Sequence, residues 1–361
     1  MTVETAEQPI STEEDLKRFL GQFDQLERPL RCAIDTEADS LHSYQEKLCL
    51  IQFGCQGVHA LIDPLSIKEM SGLIEFVDRA ETWMHGADFD MWMFRKAYDW
   101  IPPLVYDTQV AARLIGYEQF GLARMVEEHF DVVLSKASQR ADWGKRPLGG
   151  VMREYALNDV RYVIPLADLL MEKIRELGRE PWFEESCMAA RHNVLGRTGP
   201  DSDEVWRITG WGKLQPRGLA YLREIWGWRD SEAERMNRPP FKVIVNEQIL
   251  SLAIDLYHNK EVELPQRFSL SQQRRLARGV ERARKLPESE LPHRRTLPRR
   301  QKPPNLDEAV NKLKRKRDAA AKELNLDPTL IATRGLLEAI ATDEEAGMAQ
   351  LMDWQRELMC R

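Results

Sequence analysis

No apolar run in the chain approaches the roughly 20 residues that a membrane-spanning helix needs. The longest candidates, residues 48–53 and 163–171, are too short or too interrupted, and a transmembrane role is excluded. The N-terminus carries Glu4, Glu7, Glu13 and Glu14 where an export signal needs basic residues and an apolar core, so a cytoplasmic location is expected. Cysteine is scarce: Cys32, Cys49, Cys55, Cys187 and Cys360 are odd in number and form no CxxC pair. That argues against a disulfide framework and against a zinc ribbon. Cys49 and Cys55, near His42 and His59, alternate with Leu, Ile and Phe and read as buried strand residues. No repeat of solenoid period is apparent.

What is present is ordinary globular material. The composition, 43% hydrophobic and 30% charged, is far from that of a disordered chain, and 361 residues suit two or three cores. The charge is unevenly spread. Residues 1–170 carry 17 Lys and Arg against 28 Asp and Glu, whereas residues 267–302 carry twelve basic residues against three acidic ones. An acidic half can gather divalent cations, and a basic stretch can neutralise a phosphate backbone or form a solvated face.

Short runs rich in Ile, Leu and Phe (RCAIDTEAD, LCLIQFG, VHALIDP), parted by polar turns, predict an antiparallel meander. Helical periodicity follows over 70–77, 90–98, 108–115, 122–130 and 152–177, with TWMH returning to the sheet. The pattern predicts an α/β domain with a mixed sheet. The last of these helices is expected to stop at Gly178, and 191–203 has the composition of a linker. A small all-helical unit begins near Val205. A proline-studded basic run then leads to a further helical segment from Leu306.

Asp35 and Glu37 are two apart on a predicted strand, so both leave one face while Thr36 leaves the other. Acids ending an apolar strand are placed as active-site residues of α/β folds often are. Tyr155 and Asp159 are four apart and stack on one helix face. Asp90 precedes an apolar helical run, where either it or Asp88 suits the first turn. In order and spacing, Asp35-x-Glu37, Asp90 and Tyr155-x3-Asp159 resemble the three exonuclease motifs of the DEDD superfamily, in its tyrosine-bearing branch. Further along, His85-Gly86, Tyr106-Asp107-Thr108, Lys136, Gln139, Asp142-Trp143 and Arg146-Pro147-Leu148 resemble ribonuclease D in particular. LAYLREIWGWRDSEAERMNRPPFKV is similar to an HRDC domain, the helical nucleic-acid-binding module that follows this nuclease, and the tail resembles a second one. Ala141 departs from the serine frequent in the family.

The resemblance implies a ribonuclease H-like mixed-sheet exonuclease domain over 1–195 and an HRDC domain over 205–288. A basic linker with a C-terminal helical, HRDC-like region would occupy 289–361. It further implies a 3′–5′ exoribonuclease that trims structured RNA precursors, tRNA 3′ ends above all, and releases 5′-mononucleotides, acting as a monomer. Asp35, Glu37, Asp90 and Asp159 would hold two divalent ions, Mg²⁺ or Mn²⁺, and Tyr155 the attacking water. His85, Lys136, Gln139, Trp143 and Arg146 would touch substrate, with core burial an open alternative for Trp143 and a solvated charge for Arg146. Asp107 is expected to cap its helix, with a supporting role behind the metal ligands as the alternative. An exodeoxyribonuclease and a catalytically silent RNA-binding scaffold remain alternatives, since the metal chemistry does not read the sugar. A chain ending near Gly199 is expected to keep a working nuclease core.

Overall fold

The computed structural model describes residues 8–199, 204–262, 267–293 and 305–360. These form two compact units: 8–38, 47–197 and 305–360 make the first, and 39–46 with the described residues between 198 and 293 make the second. The linker residues 200–203 and the basic run 294–302 lie outside the described residues.

In the first unit α1 (Glu13–Gly21) precedes β1 (Leu30–Ala38), β2 (Leu48–Cys55) and β3 (Val58–Ile62). Then α2 (Ser71–Val77) leads to β4 (Ala80–Met84), and α3 (Asp88–Tyr98) to β5 (Val105–Asp107). Helices α4 (Thr108–Ile115), α5 (Leu122–Phe130), α6 (Gly150–Arg161), α7 (Val163–Glu176) and α8 (Glu180–Gly196) follow. The second unit is helical, with α9 (Pro216–Arg235), α10 (Pro240–Val243), α11 (Asn246–Tyr257) and α12 (Leu270–Lys285). The chain then rejoins the first unit through α13 (Leu306–Leu324), α14 (Pro328–Ile331), α15 (Arg334–Thr342), α16 (Glu344–Met348) and α17 (Asp353–Cys360).

The five-stranded sheet has the order β3-β2-β1-β4-β5. The expected meander supplies its antiparallel half, and β4 and β5 join in parallel to give the mixed sheet. All eight residues of β2 are buried, as a continuous apolar run predicts for a strand covered on both faces. Asp107 caps α4, accepting the Gln109 amide at 2.8 Å.

Two expectations need correction. The helix read as continuous over 152–177 is two, parted at Tyr162. Pro165 has no N–H to give to the carbonyl one turn earlier, so the hydrogen-bond ladder cannot run through it. The stretch read as linker from Arg191 is helical as far as Gly196. Here α8 buries Phe183, Cys187 and Val194, and Arg191 donates to the Pro102 carbonyl at 2.8 Å. The polar residues of this stretch are partly anchored, Arg191 on Pro102 and Arg197 on Asp88, and partly the exposed face of the helix, His192 and Asn193.

In the second unit α9 carries the buried residues Leu219, Leu222, Ile225 and Trp228 against Ile249 and Leu276. Part of the basic stretch is committed internally. Arg275 pairs with the buried Glu232, and Arg282 with Glu224 at 2.6 Å.

The C-terminal helices share one apolar core with the nuclease helices. Leu306, Val310, Ile331, Leu337, Trp354 and Leu358 cluster with Ala111, Leu166, Leu170 and Phe183. Trp182 stacks on Trp354, with ring centroids 5.0 Å apart. Buried Arg179 donates to the carbonyls of Leu114 and Leu324. Gly116, at φ +108°, lies so close that a Cβ there would sit 2.3 Å from the Asn325 carbonyl oxygen. A chain ending near Gly199 lacks the C-terminal share of this core. We predict that Trp354→Ala lowers the free energy of unfolding by about 3–5 kcal/mol, as emptying a buried tryptophan site does. Denaturant unfolding measures this, and a loss below ~1 kcal/mol would show that α17 is peripheral.

Candidate active site

The site grows from the end of β1, which is flanked by antiparallel β2 and parallel β4. Asp35 and Glu37 leave the face shared with their cross-strand partners Gln52 and Leu50. Helix α6 covers that face, burying Ala156 and Leu157 against Leu50 and Leu61. Its next turn brings Asp159 down on the two acids. One carboxylate oxygen from each of Asp35, Glu37 and Asp159 lies within 4.8 Å of the others. Tyr155, one turn before Asp159, donates its hydroxyl to that carboxylate.

Asp90 comes from the other side of the sheet. Helix α3 starts at Asp88, so Asp90 falls in its first turn and is buried. The Thr36 hydroxyl, on the face opposite Asp35 and Glu37, donates to Asp90 Oδ1 at 2.6 Å. Asp88 instead is exposed and pairs with Arg197 at 2.6 Å. The two aspartates that periodicity left undistinguished are thus separated by the turn from which α3 springs.

Electrostatics mark the cluster. Burial, then the charges of Asp90, Asp159 and Glu37, push Asp35 well above the ordinary carboxylate range. Burial and the charges of Asp159 and Asp90 push Glu37 up to about 9. Asp90 rises to about 7 through burial, which outweighs its hydrogen bonds from Thr36. Asp159 rises to about 7 through burial and the charge of Asp90, against the bond from Tyr155. Burial, then the charges of Asp159, Glu37 and Asp35, raise the Tyr155 phenol, so it stays protonated at any working pH. Four acids that hold their protons this tightly require compensating positive charge to ionise together.

The donor set fits a hard divalent cation, being carboxylate oxygen with no thiolate or imidazole among it. A wholly buried neighbour agrees. Gln52, directly across from Asp35, has neither amide atom bonded to a protein group. Such a polar side chain in an apolar strand needs a partner, and a hydrated ion beside Asp35 would supply one. The signal in the sequence is a lone amide in the apolar run LCLIQFG, and for Thr36 a hydroxyl between the two acids.

The other residues expected at the site are spread out. Trp143 is 1% exposed and packs behind Tyr155, with centroids 6.0 Å apart; of its two open roles the structure shows the core one. Arg146 turns its guanidinium inward. It grips both oxygens of Asp63 at 2.7 Å and donates to the carbonyls of Cys49, Trp143 and Lys145. Burial alone would raise Asp63, and the Arg146 guanidinium outweighs it and holds the carboxyl below its ordinary value. Arg146 is a clamp between β2, β3 and the 131–149 loop, neither a free substrate contact nor a solvated charge. His85 is half-buried with Nδ1 2.9 Å from the Thr108 hydroxyl. Lys136 and Gln139 are exposed on the loop between α5 and α6.

Residues 8–175 match the family model for 3′–5′ exonuclease domains. A ribonuclease D from Xanthomonas oryzae is 30% identical over 346 residues, spanning 93% of this chain and 92% of the relative. The chain belongs to the ribonuclease D family. It is a 3′–5′ exoribonuclease whose nuclease domain uses divalent metal. The crystal structure of Escherichia coli RNase D, an exoribonuclease involved in structured RNA processing, superposes with a TM-score of 0.72. It is 25% identical, covering 100% of this chain and 97% of that one. A protein from Bifidobacterium adolescentis, at 21% identity, shares the fold with a TM-score of 0.81 over 99% of this chain and 97% of that one.

The raised carboxyls set a pH signature for the site. Folded, these groups bind protons more tightly than in the unfolded chain, where carboxyls titrate near ~4. The metal-free protein therefore loses stability as pH rises from ~4 through the folded values of about 7 to 9. A bound divalent cation opposes that loss. We predict that Mg²⁺ raises the melting temperature of chelator-treated protein more at pH 9 than at pH 6, and that Asp35→Asn shrinks the difference. Equal increments at both pH values in the wild type would contradict the mutual repulsion.

Proposed function

We propose that Asp35, Glu37, Asp90 and Asp159 hold two divalent cations, Mg²⁺ or Mn²⁺, and that Tyr155 holds the attacking water. The reaction is removal of single 5′-mononucleotides from the 3′ ends of structured RNA precursors, tRNA 3′ ends above all. The observation that carries the reading is the convergence of three carboxylates from β1 and α6 within 4.8 Å, with Asp90 brought in by α3. Cations bound there would acidify the attacking water and neutralise charge on the departing 3′ oxygen. The chain's own groups position. Tyr155, fixed by its bond to Asp159, offers a hydroxyl oxygen to the water's proton and is no base, since its phenol is held above its ordinary value. Thr36 orients Asp90. The buried Trp143 supports the Tyr155 ring from behind.

The helical second unit is read as an HRDC domain over 205–288 that contacts RNA phosphates, with Arg274 and Arg278 exposed on α12 for that purpose. The region from 289 on is read as a basic linker followed by HRDC-like helices that brace the nuclease. The E. coli relative's work on structured RNA supports the substrate class. We read the enzyme as a cytoplasmic monomer, in keeping with tRNA precursors as substrate.

The test is degradation of 3′-labelled and 5′-labelled tRNA precursors with and without Mg²⁺. The 3′ label should leave at once as a mononucleotide while the 5′ label marks a descending ladder. EDTA should abolish both and Mg²⁺ or Mn²⁺ restore them. Asp35→Asn should lower turnover by orders of magnitude, and Tyr155→Phe by about 10²-fold, the loss typical of a positioning group. Full turnover in EDTA would overturn the reading, and an unchanged rate in Tyr155→Phe would return that residue to helix packing.

A further inference from the structure

We propose that Asp107, an acid outside the metal-binding set, is a positioning residue that holds Asp90 in place through the turn before α3. Strand β5 ends at Asp107, in parallel register with Met84 at the end of β4. The Asp107 carboxylate is buried and points across at the turn that follows β4. Oδ1 accepts the Gly86 amide at 2.9 Å and the Gln109 amide at 2.8 Å, while Oδ2 accepts the Ala87 amide at 2.9 Å. One carboxylate thus starts two helices. The bond to Gln109 caps α4. The bonds to Gly86 and Ala87 serve α3, whose own N-cap residue, Ala87, has no side-chain capping bond. The amides at the start of a helix lack intrahelical partners, and here a neighbouring strand satisfies the approach to it.

The adjoining residue fastens the same turn. The Thr108 hydroxyl donates to the Met84 carbonyl at 3.1 Å and therefore accepts from His85 Nδ1 at 2.9 Å. Gly86 sits at φ +81°, and a Cβ there would press on the Gln109 side chain at 3.3 Å. Residues 84–87 are fixed on both sides, and three residues later Asp90 meets the Thr36 hydroxyl at 2.6 Å. A shift at the start of α3 therefore moves Asp90 relative to Thr36 and to the acids of β1. Only a carboxylate suits position 107. An amide there would keep the bonds to one oxygen and set its NH₂ against the Ala87 N–H, donor against donor.

The inference rests on the reading of Asp90 as a metal ligand, so the experiment carries Asp90→Asn beside Asp107→Asn in the full chain. The readouts are kcat, KM for a short RNA, the Mg²⁺ concentration giving half the maximal rate, and thermal melting in EDTA. Outer partners of metal ligands typically matter by 10- to 100-fold. Asp107→Asn should raise the half-maximal Mg²⁺ concentration about 10-fold or more and lower kcat, with KM for RNA within about twofold. A capping role confined to α4 would lower the melting temperature and leave the Mg²⁺ requirement of the folded enzyme unchanged. That result, with Asp90→Asn inactive, overturns the positioning role alone. Wild-type turnover in Asp90→Asn removes Asp90 from the site and this inference with it. Should Asp107→Asn fail to fold, Gly86→Ala disturbs the same turn with Asp107 intact, and the same rise or constancy in Mg²⁺ requirement decides.

Discussion

Carboxylates brought within 4.8 Å of one another at the end of an apolar strand repel, and the first unit is arranged to hold them together regardless. Burial first, and the neighbouring charges after it, make Glu37 and Asp159 cling to their protons, up to about 9 and about 7, while burial lifts Asp90 to about 7. Residues placed this way weaken the fold unless positive charge offsets them. Local rules are broken where function requires it, and an apolar strand that ends in two acids is such a place.

Holding the acids takes rigid elements on every side. β1 sits in the sheet interior, with β2 beside it buried along its whole length. α6 presses on one face, and α3 reaches the strand end from the other through Thr36. Arg146 gathers Asp63 and three backbone carbonyls, which fixes the loop bearing Trp143 and so the wall behind Tyr155. The C-terminal helices complete the core beneath α4, α7 and α8. They belong to the nuclease unit in packing, although some 100 residues of sequence part them from it.

The strand meander and the mixed sheet were legible from local periodicity, which also puts Asp35 with Glu37 on one strand face and Tyr155 with Asp159 on one helix face. That these two faces meet was implied only by the resemblance of the motifs to the DEDD exonucleases. Asp90 was separable from Asp88 only once the position of Gly86 and Ala87 was known, which depends on Asp107 some 20 residues away. The break at Tyr162 was available from Pro165 and was overridden by apolar periodicity that continues across it. Arg146 and Trp143 were harder to read. An arginine whose partners are backbone carbonyls of distant strands, and a tryptophan whose burial depends on a loop, leave no periodic trace. The shared core of α13–α17 with α4 and α7 is likewise invisible to composition, since amphipathic helices look the same whichever neighbour they cover.

The central claim is that the acids from β1, α3 and α6 form one cation site. Anomalous diffraction from crystals equilibrated with Mn²⁺ tests it most directly. The account predicts two peaks about 4 Å apart, bounded by Asp35, Glu37, Asp90 and Asp159. No density among these residues, with Mn²⁺ bound elsewhere and activity intact, would contradict it.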